Sequence, residues 1–361
     1  MRLVLTTDYY WPHLGGGVEV VVQQLAERLA RRGYAVSVLT LNTRGAPPME
    51  RVNSVAIFRV PALEVTRLLG MQLALPLHLL RFALFLRSYQ PDVVHVHGRF
   101  FATSLLAMLF RQHTPLVFTL HLGPVRMGKA VALYERVISR RLLRAANTVT
   151  AVSCLAAQVW PGARVIPNGV DIERFQPSTN GRDGFRVMCV GRLVRNKGPE
   201  RLLEAVPHMY PGIKVIFLGD GPLRSRLQVR TRQLGVADRV TFAGMRGDVH
   251  RVLPAGSLLV RVCDTEGMSL AVLEALACGL PVIASPASAG DLIEHGVNGY
   301  RLAEMSPGEI ADYVNRLYLS PERLREMSGE ARRTAERFSW EKAVDAYEEV
   351  YAELLRGKRD A

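Results

Sequence analysis

Short runs of apolar and β-branched residues alternate with helical patterns along the chain, and this alternation restricts the fold more than any other feature. The first run, RLVLTT at residues 2–7, precedes a helical pattern at residues 18–32 that Gly33 ends. Further strand-like runs occupy residues 35–40, 55–60, 92–97, 116–120 and 148–152. Such alternation predicts βαβ units built around a parallel sheet.

A second series of the same kind follows residues 167–184, a stretch rich in Pro, Gly, Asn and Asp that is the best linker candidate. Its predicted strands occupy residues 185–190, 213–219, 239–244, 257–262 and 280–285, and a polar-faced helix at residues 340–357 comes last. A chain of 361 residues suits two domains. We therefore expect an α/β protein with doubly wound domains at residues 1–166 and 185–337, followed by a terminal segment at residues 338–361.

The formal net charge is +13, and only five of the 46 basic residues are lysines. This balance favours an anionic partner: a phosphorylated ligand, a nucleic acid or an acidic membrane surface. Nucleic acid is not expected, because the chain has neither a recognition-helix motif nor an aromatic stacking motif.

Four scattered cysteines form no CxxC pair, so the sequence indicates neither a zinc site nor a disulfide framework, and we expect a reduced, cytoplasmic compartment. The first residues, MRLVLTTDYYWP, lack the apolar run of a signal peptide. Residues 67–90 are the most membrane-like stretch, but Pro76 and Arg81 interrupt them and the uninterrupted part is too short to span a bilayer. They form either a pair of core helices or a segment in a membrane interface, with arginines toward lipid phosphates on the inner face.

Ligands of open parallel sheets lie beyond the carboxyl ends of the strands, so the residues that follow strands are site candidates. Gly15, Gly16 and Gly17 precede a helix, where glycines admit a close ligand and helix amides favour an anion. A flexible turn explains them equally well, and neither GxGxxG nor a P-loop is present. His121 follows a strand as either a core-edge residue or a site residue.

His95 and His97 alternate along the strand at residues 92–97, so they point to one side of it. Such a pair can bind a metal ion, but no convincing third ligand accompanies it. Structural hydrogen bonding at the domain interface is the favoured interpretation.

Arg192 and Lys197 follow the strand at residues 185–190, and Gly191 and Gly198 give the backbone room beside them. Two cations at a strand end can hold a diphosphate, the arginine as a planar fork and the lysine as a point charge. A solvated basic loop is the alternative.

The segment CDTEGMSLAVLEALACGLPV contains two acidic residues that need an explanation. It predicts an apolar helix from about Gly267 to Gly279, with Glu274 in its centre and Glu266 just before it. A buried, unpaired carboxylate is costly, so Glu274 needs either a neighbouring arginine or hydroxyl groups such as those of a ribose. The helix-opening amides then face a phosphate or sugar; they belong to Gly267, Met268, Ser269 and Leu270. This combination suits a sugar nucleotide.

Several of these segments together resemble the retaining GT-B glycosyltransferases of family 4. The matching segments include VIPNGVDIERFQP, VGRLVRNKGPERLLEA and EGMSLAVLEALACGLPVIAS, and the matches run in the family's order from residue 1 to about residue 350. The resemblance implies two Rossmann-like domains facing across a cleft, an acceptor-binding N-terminal one and a donor-binding C-terminal one. It also implies a last helix that crosses back to the N-terminal domain.

The resemblance assigns roles to matching residues. Glu266 and Glu274 form the family's E-x7-E motif and would face the transferred sugar and the ribose. Arg192 and Lys197 would hold the donor diphosphate. His121 would lie beside the donor sugar and the leaving phosphate, and the loop Gly15–Gly17 would close over phosphate and acceptor.

The implied reaction transfers a hexose or N-acetylhexosamine from UDP or GDP to a hydroxyl acceptor, lipid-linked or part of a cell-envelope glycan, with retention of configuration. No DxD triplet is present, so we expect cations in place of a divalent metal ion and no cofactor besides the donor. The alternatives are a non-transferring GT-B enzyme, such as a sugar-nucleotide epimerase, and a non-catalytic nucleotide-sugar-binding protein. Val262 and Cys263 replace the family's usual Pro-Ser, and Met268 replaces an aromatic residue, which bears on the identity of the sugar.

Overall fold

The computed structural model describes residues 1–12, 16–42, 45–68, 71–98, 102–124, 133, 135–178 and 184–359. The chain divides into two compact units. Unit 1 comprises Met1–Pro167 and Trp340–Ala361, and unit 2 comprises Asn168–Ser339. The chain therefore leaves unit 1 once, at Pro167, and returns to it at Trp340.

A largely parallel sheet forms the centre of unit 1. Its described strands are β1 (Arg2–Thr6), β2 (Ala35–Asn42), β3 (Met49–Val52), β4 (Val55–Leu68), β5 (Met71–Pro76), β6 (Val93–His97), β7 (Leu116–Leu120), β8 (Thr148–Ala151) and β9 (Arg164–Val165). Their order is β3-β4-β2-β1-β6-β7-β8-β9, with β5 beside β4. The pairs β3–β4 and β4–β5 are antiparallel and the others are parallel.

The described helices of this part of the chain are α1 (Gly17–Arg31), α2 (Leu79–Tyr89), α3 (Ala102–Phe110), a π-helical turn (Glu135–Ser139), α4 (Arg140–Ala145) and α5 (Cys154–Ala157). Helix α1 buries one apolar face, including Val22, Leu25 and Leu29, against the sheet.

The expectation of a helix pair within residues 67–90 is wrong in its first half. Strand β5 pairs antiparallel with β4, with Leu63 opposite Leu75, and among the described residues of this stretch only those of α2 are helical. The apolar run before Pro76 has no regular spacing of polar residues, so its pattern does not distinguish a helix from a strand. Proline also disfavours a helix interior, which agrees with the start of α2 at Leu79.

Unit 2 is built on a second, wholly parallel sheet. Its described strands are β10 (Phe185–Val190), β11 (Ile213–Leu218), β12 (Val240–Gly244), β13 (Leu258–Arg261), β14 (Val282–Ala284) and β15 (Gly299–Arg301), in the order β12-β11-β10-β13-β14-β15. Its α-helices are α6 (Pro199–Ala205), α7 (Arg224–Gln233), α8 (Val249–Val252), α9 (Leu270–Ala277), α10 (Pro286–Ala289), α11 (Pro307–Leu319) and α12 (Pro321–Glu336). The 3-10 helices among its described residues span Arg195–Lys197, Val206–His208 and Leu253–Ala255.

Both faces of the unit 2 sheet are covered. Leu258 and Val260 of β13 belong to one apolar cluster, whereas Leu259 between them belongs to another. Because successive strand residues point to opposite faces, this alternation indicates apolar layers on both sides. The unit is doubly wound, as the sequence predicts.

The C-terminal helix α13 (Trp340–Arg359) belongs to unit 1. Its Val344, Tyr347 and Tyr351 lie in the same apolar cluster as Leu25 of α1. Arg32, just after α1, forms ion pairs with two acidic side chains of α13, so polar contacts border the apolar ones. None of the described helices combines the length and hydropathy needed to cross a lipid bilayer.

Candidate active site

Two loops of unit 2, which follow β10 and β13, are held together by close backbone contacts. Gly198 has φ +60°, and a Cβ atom there would lie 2.1 Å from the Val262 carbonyl oxygen. The Asp264 amide donates a hydrogen bond to the Asn196 carbonyl oxygen at 3.0 Å. Only glycine can occupy this crowded position with a left-handed backbone conformation. Because Gly198 has no Cβ atom, the two loops can approach closely, and Lys197 comes near the loop that carries Glu266.

Glu266 lies at the centre of a mostly buried charged cluster. Its two carboxylate oxygens lie 2.9 and 3.0 Å from Lys197 Nζ. One of them also accepts a hydrogen bond from Arg261 Nη2 at 3.0 Å. Burial alone would raise the pKa of Glu266, but the charges of Arg261 and Lys197 outweigh it and lower that pKa to about 2. The carboxylate is therefore ionised at neutral pH.

Arg261, the last residue of β13, is a member of this cluster that the sequence interpretation missed. Its side chain is 6% exposed and donates to the Val190 carbonyl oxygen at 2.6 Å. It passes directly over Gly191, which has φ +136° and where a Cβ atom would lie 2.5 Å from Arg261 Nη1. Gly191, expected to admit a ligand, thus also makes room for this guanidinium. The available signal was one arginine in the otherwise apolar run SLLVRV.

Cys263 is a third neighbour of Glu266, and its thiol donates to a carboxylate oxygen at 3.2 Å. Burial raises the pKa of this thiol, which keeps it protonated and able to donate. Ser285 fixes the Cys263 backbone, accepting from its amide at 3.0 Å and donating to its carbonyl oxygen at 2.8 Å. Cys263, which stands where the resembled family usually has a serine, therefore still supplies a hydrogen-bond donor at this position.

Glu274 lies on α9 among buried apolar neighbours such as Leu273 and Ala275. In the described part of the chain, no residue donates a hydrogen bond to its carboxyl or forms an ion pair with it. Burial raises the pKa of Glu274 to about 7, although Arg174 and Arg261 lower it in part. The described residues therefore do not give Glu274 a salt bridge with an arginine, which was one of the two partners expected from the sequence.

The other site residues predicted for unit 2 lie close in sequence to the members of this charged cluster. Arg192 is exposed in the loop after β10. Ser269 precedes α9 in an extended conformation without capping it through its side chain, and Gly267 is buried. The Sδ atom of Met268 lies 3.1 Å from the Asn168 amide. The first-turn amides from Ser269 and Leu270 have no acceptor within the helix.

The predicted residues of unit 1 are only partly described. Gly15 lies outside the described residues, whereas Gly16 is extended and Gly17 opens α1. His121 follows β7, is 8% exposed, and its Nε2 lies 3.0 Å from His97 Nδ1. Burial lowers the pKa of His121 to about 3, so its ring is neutral.

His95 makes structural hydrogen bonds within unit 1, whereas His97 contacts His121 and its Nε2 is buried with no partner among the described residues. The His95 ring is hydrogen-bonded to the Tyr351 hydroxyl at 2.7 Å and to the Thr119 hydroxyl at 2.6 Å. Since Tyr351 lies on α13, this network links the C-terminal helix to strands β6 and β7 of the same unit.

Comparison with known proteins gives the chain its family. Residues 15–174 match the model for Glycosyltransferase Family 4, and residues 171–334 match that for Glycosyl transferases group 1. A D-inositol 3-phosphate glycosyltransferase from Acidothermus cellulolyticus is 30% identical, over 96% of this chain and 87% of the relative.

Solved structures support the fold. Sucrose-phosphate synthase from Thermosynechococcus elongatus superposes with a TM-score of 0.82 at 21% identity, covering 99% of both chains. Anabaena HepE in complex with UDP-glucose superposes with a TM-score of 0.80 at 21% identity, covering 99% of this chain and 100% of HepE. The predicted fold class of two Rossmann-like α/β units is confirmed, and the chain belongs to the family 4 glycosyltransferases, as an enzyme that transfers a glycosyl group.

Proposed function

We propose that the protein transfers a hexose or N-acetylhexosamine from a UDP- or GDP-sugar to a hydroxyl acceptor, with retention of configuration. Unit 2 binds the donor and unit 1 the acceptor. The observation that carries the proposal is the contrast within the E-x7-E pair: Glu266 is held ionised by two cations, whereas Glu274 has no partner among the described residues.

The unpartnered Glu274 suits a ribose. A carboxylate offers only acceptors, and two vicinal hydroxyl groups offer two donors at matching spacing. The bound hydroxyls would supply the hydrogen bonds that this half-buried carboxyl otherwise lacks. The amides from Gly267 to Leu270, which open α9, then face the diphosphate or the sugar.

The cations of the β10 loop suit the charge that develops during transfer. Cleavage of the anomeric C–O bond leaves negative charge on the diphosphate and positive charge on the sugar. Arg192, Lys197 and the α9 amides stabilise the first charge, and the Glu266 carboxylate stabilises the second. With these cations present, the reaction does not require a divalent ion as Lewis acid. His121, neutral in its buried site, contributes a hydrogen bond rather than a charge.

Two similar proteins support a choice of donor and of acceptor to test first. HepE was solved with UDP-glucose, which favours UDP over GDP as the first donor to assay. The Acidothermus relative is named for an inositol phosphate acceptor, and the net charge of +13 favours an anionic acceptor here as well. We therefore infer that the acceptor is a phosphorylated polyol, free or as a lipid headgroup.

One surface of unit 1 supports a lipid-linked acceptor. Leu77, Leu80 and Leu84, in and before α2, are 52%, 69% and 52% exposed, and Arg81 and Arg87 of the same helix are also exposed. Exposed leucines beside arginines suit the interface of an acidic bilayer. Co-sedimentation should show binding to phosphatidylglycerol vesicles but not to phosphatidylcholine vesicles. A Leu80→Ser, Leu84→Ser double variant should lose that binding, and equal sedimentation of both proteins contradicts a membrane role for this surface.

The decisive assay incubates the protein with UDP-glucose, UDP-N-acetylglucosamine or GDP-mannose, with and without inositol 3-phosphate or phosphatidylinositol. If the protein is a retaining transferase, nucleoside diphosphate should be released only when the acceptor is present, and NMR should show an α-linked product. A sugar-nucleotide epimerase would convert the donor without any acceptor. A binding protein would shift its melting temperature with the donor but release no nucleotide.

A further inference from the structure

We propose that Arg261 is a positioning residue of the transfer reaction, which holds the Glu266 carboxylate in place when Lys197 turns from Glu266 to the donor diphosphate. The inference rests on the proposed function, because it concerns the same site. It assigns a role to a residue outside the matching motifs, and it describes two different uses for the two cations that contact Glu266.

The position of Arg261 is costly unless the side chain has such a role. Burying a guanidinium inside a sheet carries a large desolvation penalty, which close anionic and polar partners must offset. Arg261 has two of them, the Val190 carbonyl oxygen and Glu266. Its Nε is buried with no partner among the described residues. An apolar residue would fill this strand position at lower cost, so the arginine is explained better by its contact with Glu266 than by packing.

Lys197 and Arg261 contact Glu266 in different ways. Lys197 Nζ reaches both carboxylate oxygens, and a flexible lysine can leave them for another anion. Arg261 reaches one oxygen, and its second anchor, the Val190 carbonyl, fixes its guanidinium to β10. Of the two, Lys197 is therefore the cation free to move.

The charges of the cluster suit this exchange. Two cations and one carboxylate leave one net positive charge before the donor arrives. A diphosphate carries more negative charge than Glu266 and competes for Lys197. When Lys197 turns to the diphosphate, Arg261 alone keeps Glu266 ionised and oriented toward the sugar. Without Arg261, Lys197 would remain with Glu266 and be less available to the diphosphate.

The titratable and charged groups near Arg261 and Glu266 determine which pKa changes a pH experiment on Arg261 variants reports. Glu266 faces Lys197, Arg261 and the Cys263 thiol, and the charge of Arg261 also acts on Cys189 and Glu274. Loss of Arg261 therefore raises the pKa of both Glu266 and Glu274. Only the effect on Glu266 adds a new limb in the acid range, since Glu274 already titrates near neutral pH.

The test compares Arg261→Met, Arg261→Lys and a matched control, Arg239→Met, in steady-state transfer assays over pH 4–9. Arg239 is a half-buried arginine of unit 2 that donates to the carbonyl oxygens of Ile213, Met209 and Tyr210 and not to Glu266. Arg261→Met should raise the donor KM and lower kcat, each about tenfold or more, and should add a limb in the acid range of the kcat/KM profile, where the wild type has none from Glu266. Arg261→Lys should show no new acid limb and should recover part of kcat, because it keeps the positive charge, and Arg239→Met should change neither the pH profile nor kcat.

Three results overturn the proposal: wild-type kinetics and pH profile in a folded Arg261→Met protein, no recovery by lysine, or equal effects of Arg239→Met. Circular dichroism and thermal melting report whether each variant folds. If Arg261→Met does not fold, the proposal is tested by Arg261→Lys. Wild-type kcat and KM in that variant would contradict it, because the proposal requires a guanidinium that contacts both the Val190 carbonyl oxygen and Glu266. A wild-type protein that transfers no sugar contradicts the proposed function instead, so the two failures are distinguishable.

Discussion

Lys197 Nζ lies within hydrogen-bond distance of both carboxylate oxygens of Glu266, at 2.9 and 3.0 Å. These residues are 69 positions apart in the chain, and the loops after β10 and β13 bring them together. The same lysine is proposed to bind the donor diphosphate. Glu266 is thus the partner from which the donor must draw Lys197.

Replacing Lys197 should therefore damage transfer more than stability. We expect Lys197→Ala to lower kcat/KM about a hundredfold or more, since one preorganised cation at the leaving group is lost. The control is Lys214→Ala, which removes an exposed lysine from β11 of the same unit. Similar kcat/KM values for the two variants in the transfer assay contradict the assignment of Lys197.

Glu274 should make stability depend on pH. Because its pKa is raised from 4.5 to about 7 in the folded protein, the folded state holds a proton that the unfolded state has lost between these values. Stability should then fall as pH rises through this window. Glu274→Gln removes the effect, so its melting temperature should exceed that of the wild type at pH 8 but not at pH 5.

Donor binding should show the matching dependence. The ionised Glu274 accepts hydrogen bonds from both ribose hydroxyls, so the donor should bind more tightly above pH 7 than below it. Glu274→Gln should bind more weakly and lose this pH dependence in calorimetric titrations. The control is Glu322→Gln, an exposed site on α12, and the idea fails if both variants retain the wild-type profile.

Gly198→Ala should destabilise unit 2 through a collision as well as through backbone strain. Gly235→Ala separates the two effects, because Gly235 has φ +68° with open space around its Cβ position. We expect a loss of about 1 kcal/mol for Gly235→Ala from strain alone. Gly198→Ala should lose about 3 kcal/mol or more, since its Cβ meets the Val262 carbonyl. Equal losses in urea unfolding contradict the close contact of the two loops.

Tyr351→Phe should weaken the attachment of α13. The change leaves a buried ring nitrogen of His95 without its partner at 2.7 Å, which costs about 1–3 kcal/mol. Tyr89→Phe is the control, because the Tyr89 hydroxyl donates to the Ala35 carbonyl at a partly exposed site where water can replace it. That change should stay within about 0.5 kcal/mol. Similar unfolding free energies for the two variants count against the buried network.

The fold followed from the sequence where apolar runs were bounded by glycine, proline or charge. Strand β10 has the predicted bounds, and α13 extends the predicted helix at residues 340–357 by two residues, to Arg359. The sequence interpretation missed β15, a three-residue strand, because so short a run has no periodicity. It also missed β5, whose leucines fit a helix as well as a strand.

The candidate site followed from the sequence only in part. Lys197 and Glu266 stand in glycine-containing loops at strand ends, where general rules for parallel sheets place ligands. Arg261 is one among 46 lysines and arginines, and its importance depends on which residues packing places beside it. Partners that meet only in three dimensions, as Arg261 and Gly191 do, leave no local pattern.

The most direct test of the proposed donor site is calorimetric titration of UDP-glucose, UDP-N-acetylglucosamine and GDP-mannose into the wild-type protein and into Lys197→Ala and Glu274→Ala. This site predicts saturable binding of one donor per chain to the wild type, weakened about tenfold or more in each variant. The same affinity in all three proteins, or no binding of any donor to the wild type, contradicts it.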